Sequence, residues 1–257
     1  MSAAFTVPAA DTQLSGTDTP GKTPSLVFLN GGFATQKHWG RVLERLGGAY
    51  RTVTYDGRAR GKSGTSADYS MRGALDDVGR VIEATGVERP VLVGWSNGAT
   101  LAVRYATEHP DKVGGLVLID GAYPITMFDE AGKEGVRRQF RRMGWLLRVA
   151  ARLGLAARMT PDQCAQVVID TDATNGEFAA DFAALRVPAA FVVCTGPHSG
   201  ASEEETSTMR AAAAKATAIN EHVTVFATAP SNHVQVLSKD AALVADAVED
   251  VVSRSAA

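Results

Sequence analysis

Cysteine is scarce in this chain of 257 residues, with only Cys164 and Cys194 present. Both fall in segments that read as regular structure, a helix and a buried strand, so a disulfide-stapled fold is excluded and both are expected as reduced packing residues. Metal-ligand spacing is also missing: five histidines and two cysteines form neither HExxH nor paired CxxC, so no metal and no cofactor are expected. Charge of one sign is not in excess. With 26 Lys and Arg against 28 Asp and Glu, the formal net charge of -2 supplies no global positive field to recruit nucleic acid or an anionic membrane. No apolar run approaches the length of a membrane span, which argues against stable membrane insertion. The start, MSAAFTVPAADTQLSGTDTPG, has no basic stretch followed by an apolar core, and a cytoplasmic location is expected.

What the chain does have is a repeated alternation. Hydrophobic residues make up 45% of it, enough for one sizeable core. The runs SLVFL (25–29), YRTVTYD (50–56), PVLVGW (90–95), GLVLID (115–120), PAAFVVC (188–194) and HVTVFAT (222–228) each read as a strand buried on both faces. Helical periods lie around 38–47, 70–86, 97–108 and 239–253. Strands alternating with helices predict an α/β fold with a mostly parallel central sheet flanked by helices.

The rhythm breaks once. Between Asp120 and Pro188, Val136, Phe140, Met143, Leu147 and Ala150 recur at helical spacing beside an arginine-rich face, and Thr160, Pro161 and Gln163 form a capping-box start. Residues 122–186 are therefore expected as an inserted helical cap, with 1–121 and 187–257 as the core. The arginines from 137 to 158 read first as a solvated helix face, with an anionic substrate, a carrier-protein partner or a membrane surface as the alternatives.

In VLVGWSNGAT (91–100), Ser96 stands between Gly94 and Gly98, after an apolar strand and before a helix. A turn this tight lifts the hydroxyl to the carboxyl end of the sheet, where ligands bind in open α/β folds. Here the chain resembles the α/β-hydrolase fold serine hydrolases. LNGGFATQKHW (29–39) is similar to the family's oxyanion loop, with Asn30 replacing the usual histidine. YDGRARGKSG (55–64) is similar to its DxRGxGxS segment, with Ala59 for the first glycine. SNHVQVLSKD (231–240) resembles its histidine loop, with Asn232 where glycine is common. The likeness covers nearly the whole chain outside the insertion, in order.

A serine hydroxyl needs a base, and His233 follows the last strand on a loop opening the final helix. His38, His109 and His222 read as structural, while His198 could line the pocket. The resemblance implies an oxyanion hole from the backbone amides of Gly32 and Asn97. The acid is open. Most relatives carry an aspartate after the strand that follows the cap, but that stretch reads CTGPHSGASEEE, with Ser199 near the expected place. Asp120 leads, because some members take the acid from the strand before the cap; Glu203, Glu204 or Glu205, or no working acid, are the alternatives.

Serine at the elbow argues against an epoxide hydrolase or a haloalkane dehalogenase, which resemble this chain but use aspartate there. The expected activity is hydrolysis of an ester or lactone of a hydrophobic small molecule, with Phe33, Trp95, Tyr123, Met127, Trp145 and His198 as candidate substrate contacts. A thioesterase, a C-C hydrolase, a perhydrolase or a silent ligand-binding protein are the rival readings. The oligomeric state has no signature in the sequence.

Overall fold

Alternate residues of each central strand point to opposite faces, and both sets are apolar. In the computed structural model, which describes residues 1–154, 156–196 and 203–256, Val91, Val93 and Trp95 of one strand face one helical layer while Leu92 faces the other. That pattern obliges helices to cover both sides of the sheet. Each fully buried Leu or Val is worth roughly 1.5–3 kcal/mol, so the central strands act as the anchor of the domain.

Eight strands form one sheet: β1 (Ala3–Ala9), β2 (Thr12–Thr19), β3 (Lys22–Leu29), β4 (Tyr50–Asp56), β5 (Val91–Trp95), β6 (Gly115–Ile119), β7 (Ala189–Cys194) and β8 (Val223–Ala229). Their order is β1-β2-β4-β3-β5-β6-β7-β8, antiparallel at β1–β2 and β2–β4 and parallel elsewhere. The β1–β2 hairpin is an addition to the sequence reading. It lies at the sheet edge with one face in solvent, so only Val7, Ala9, Leu14 and Gly16 are buried along it and no two-sided apolar run marks it.

On one face lie α1 (Gly40–Leu46), a short α9 (Val236–Lys239) and α10 (Ala241–Ser255). On the other lie α2 (Met71–Thr85), α3 (Asn97–Glu108), α7 (Phe178–Ala184) and α8 (Glu203–Ile219). Between β6 and β7 the chain adds α4 (Glu130–Arg142), α5 (Gly144–Arg152) and α6 (Pro161–Gly176) before α7. Helix α6 begins with Thr160 and Gln163 in a reciprocal capping box and Pro161 in the first turn. It packs on α4 and crosses α3, which brings it over the end of β5. Cys164 and Cys194 are buried and unpaired. Among the described residues no helix is long and apolar enough to cross a membrane.

Candidate active site

Three segments that end strands converge at one edge of the sheet. At the end of β5, Ser96 holds φ 56 and ψ -121, a conformation costly for a side-chain-bearing residue. Close packing forces it there. A Cβ on Gly94 would sit 2.4 Å from the Gly98 carbonyl oxygen, and one on Gly98 would sit 2.0 Å from that of Leu29. The Ser96 amide donates to the Ile119 oxygen at 2.9 Å, which ties the turn to β6.

Asp120 ends β6 and is buried. Its Oδ2 receives His233 Nδ1 at 2.7 Å, and its Oδ1 receives the Tyr123 hydroxyl at 2.6 Å and the Cys194 amide at 3.2 Å. Burial alone pushes this carboxyl up. The hydrogen bond and charge of His233, with the Tyr123 and Cys194 donors, outweigh burial and hold its pKa at about 2. The carboxylate is thus ionised at neutral pH and can only accept, so Nδ1 of His233 is the donor in this contact. Burial, then the Asp120 charge, pushes the Tyr123 phenol well up, and the same two causes push the Cys194 thiol up. Both stay protonated.

His233 is steadied from its other side. Trp95 Nε1 donates to the His233 carbonyl at 3.1 Å, and the two rings lie 5.5 Å apart. Asn232, where a glycine was the common expectation, accepts from the Gln235 amide at 3.1 Å through its side chain and shapes the turn into α9.

The segment after β3 completes the site. Asn30, in the place of the usual histidine, accepts from Trp39 Nε1 at 2.7 Å and donates through Nδ2 to the Tyr55 oxygen at 2.6 Å, so it joins the loop to β4 and the turn before α1. The Gly32 carbonyl receives two donors from one guanidinium, Arg60 Nε at 2.9 Å and Arg60 Nη2. This fork fixes the plane of the Gly32–Phe33 peptide. Ala59, also a departure from glycine, adopts φ 61 and buries its methyl with Met159, Cys164 and Val167 beneath α6.

Ser96, Asp120 and His233 line one cavity of about 590 Å³, together with Gly32, Phe33, Trp95, Asn97, Tyr123 and Met127. Sequence reasoning missed Thr100, Val167, Thr171, Asn175 and Met209, which also line it and come from α3, α6 and α8. Two hydrogen bonds join α3 to α6 along this wall: Asn97 Nδ2 donates to Thr171 Oγ1 at 3.2 Å, and Thr100 Oγ1 donates to Asn175 Oδ1 at 2.8 Å. Asp172 accepts from the Met127 and Phe128 amides at 2.7 and 3.1 Å and so holds both side chains at the cavity. No Lys or Arg is found among the described lining residues.

Not every expected residue converges. Trp145 lies on α5, is 66% exposed and does not reach the cavity. Tyr123 lines the cavity with its ring but turns its hydroxyl to Asp120. Glu204 is exposed on α8. His198 and Ser199 lie outside the described residues, as do the side chains of Glu203 and Glu205. The described residues contain no group of His, Cys, Asp and Glu arranged to hold a metal ion.

The model of the alpha/beta hydrolase fold family matches residues 24–167, more than half of the chain, and the protein belongs to that family. Epoxide hydrolase 3 of Xenopus tropicalis is 32% identical over 111 residues, which are 42% of this chain and 30% of that protein. The match thus spans less than half the length of this relative. Among solved structures, a bromoperoxidase from Bacillus anthracis superposes with a TM-score of 0.78 at 16% identity, covering 98% of this chain and 100% of that one. A thermophilic esterase from Thermogutta terrifontis superposes with a TM-score of 0.74 at 19% identity, covering 99% of each chain. These two show likeness of fold.

Proposed function

We propose that the protein is a serine hydrolase that cleaves a carboxylic ester or lactone of an uncharged, largely apolar small molecule through an acyl-enzyme. The observation that carries this reading is the 2.7 Å contact of His233 Nδ1 with an ionised Asp120, in a cavity that also holds Ser96 at a forced turn. In this reading Ser96 Oγ attacks the carbonyl carbon while His233 Nε2 takes its proton, and Asp120 stabilises the resulting imidazolium. The charge developing on the carbonyl oxygen meets the amides of Gly32 and Asn97, the latter at the positive end of α3, each donor contributing roughly 3–4 kcal/mol. Collapse breaks the C–O bond, and the leaving alkoxide takes the proton from His233. Water, deprotonated by the same nitrogen, then attacks the acyl carbon and frees Ser96.

Serine rather than aspartate at position 96 favours acyl transfer over displacement at an epoxide or carbon–halogen centre. Phe33, Trp95, Met127 and Val167 provide apolar walls, and the lack of a cation among the described lining residues favours an uncharged substrate over a carboxylate. Helix α6 and the segment 122–129 before α4 serve as a cap over this cavity, with α4 packed on α6.

A fluorophosphonate probe followed by intact mass tests the reading, with Ser96→Ala as control. One adduct that disappears in the variant is expected, followed by turnover on a panel of esters and lactones. Preferential turnover of thioesters or C-C substrates would move the assignment within the same chemistry. No adduct on folded protein would overturn it in favour of a silent ligand-binding role.

A further inference from the structure

Helix α5 is the most exposed apolar element of the described chain. Trp145, Leu146, Val149 and Leu153 fall on one stripe, at spacings of one, three and four residues, and Trp145 and Leu153 are 66% and 69% exposed. Such a stripe normally turns inward. Around it stand Arg138, Arg142, Arg148 and Arg152, all exposed and none in an ion pair among the described residues. Residues 130–152 hold seven basic side chains against two acidic ones, in a chain whose formal net charge is -2. Lys133, Arg137 and Arg141 are paired with Glu130, Glu134 and Asp162, which leaves the four arginines beside the stripe as its local positive excess.

We propose that the face formed by α5 and the end of α4 docks on an anionic lipid surface. Charge complementarity selects this occupant: a second copy of the chain would bring two clusters of unpaired arginines together, which repel. A short convex helix with an indole and aliphatic side chains, flanked by guanidinium groups, matches the acyl and headgroup layers of a bilayer interface. The stripe is too short to span a membrane and lies along its surface. Phe140, on the inward side of α4, packs against Phe33 of the cavity lining with ring centroids 5.6 Å apart, so α4 stands between the exposed stripe and the cavity wall. The proposal rests on the surface alone and stands whether or not Ser96 turns over a substrate.

The chain carries its own reporter. Of its three tryptophans, Trp39 and Trp95 are buried, so an environmental change in indole emission at docking comes from Trp145. The whole protein is mixed with vesicles of phosphatidylcholine, or of phosphatidylcholine and phosphatidylglycerol in equal parts, and followed by co-sedimentation and tryptophan emission. Binding to the anionic vesicles at least about tenfold tighter, weakened by salt, with a blue shift, is the expected result. Each arginine near the surface is worth roughly fivefold in affinity, so Arg148→Glu with Arg152→Glu should weaken binding at least about twenty-five-fold. A thermal unfolding midpoint unchanged from that of the parent chain shows that this variant folds, independently of any reactivity of Ser96. Trp145→Phe should keep binding and lose the shift. Absence of anionic-vesicle binding at low salt would overturn the proposal, as would binding that survives the arginine reversals. A blue shift that appears on concentrating the protein without vesicles, together with dimer formation, would overturn it in favour of self-association.

Discussion

Asp120 shows how one side chain is set for a task by its neighbours. Buried carboxyls ordinarily protonate, yet three donors hold this one ionised with a pKa of about 2. Because that value lies below the ordinary aspartate value, the group stabilises the fold above pH about 4, and this contribution, about 2 kcal/mol, is lost as pH falls towards 2. Asp120→Asn should therefore flatten the dependence of unfolding free energy on pH between 4 and 2, measured by denaturant titration at each pH. The same substitution should lower kcat by about 10³- to 10⁴-fold at neutral pH, because an amide can stabilise neither the imidazolium nor the required tautomer. The position of Asp120 at a strand end was legible in LVLID. Its partnership with Tyr123 was not, since nothing in the sequence tells whether that phenol faces a substrate or a carboxylate three residues back.

Within the elements, the loops hold the candidate site and their orientation is borrowed from one another. Arg60 lies in the turn after β4, yet its fork holds the carbonyl of Gly32, 28 residues earlier. Arg60→Gln should free the Gly32–Phe33 peptide and so loosen the adjoining Gly31–Gly32 peptide that carries the proposed Gly32 donor, reducing kcat about tenfold or more with little change in KM, since in the proposed mechanism that donor acts on the developing oxyanion. Steady-state kinetics on an ester found in the panel measures the split. Loss of affinity with kcat intact would show instead that Arg60 shapes the binding cavity. No pattern in YDGRARGKSG marks this grip, because Arg60 stands at a variable place in the segment and its partner is a backbone atom. The capping box at Thr160 was legible, being a local device of four residues. The separation of α4 from α5 was not: Met143 continues the apolar period of Phe140 and Leu147 across the break.

At the scale of the molecule, one buried ion pair links the turn after β4 to the helical layer. Arg58 donates through Nε and Nη2 to the two oxygens of Asp77 at 2.8 and 2.9 Å, with both side chains almost wholly buried. Arg58→Ala leaves that carboxylate without its cation and should cost about 3–5 kcal/mol, or about 10 °C in the unfolding midpoint. The double variant Arg58→Met with Asp77→Leu should recover most of the loss. Thermal unfolding of the three proteins measures both effects, and equal losses in single and double variants would show that the pair acts by shape rather than charge.

The positions of β3 to β8, the mostly parallel sheet, the serine turn and the histidine loop were readable in the residues, because each depends on local pattern: two-sided burial, glycines where backbones touch, a period of helix. Tertiary structure alone decided which carboxylate meets His233 and which side chains wall the cavity. It also decided that Trp145 faces outward rather than in. Those outcomes depend on where segments tens of residues apart come to rest, and a short polar contact or a helix's rotation about its axis leaves no mark in a one-dimensional pattern.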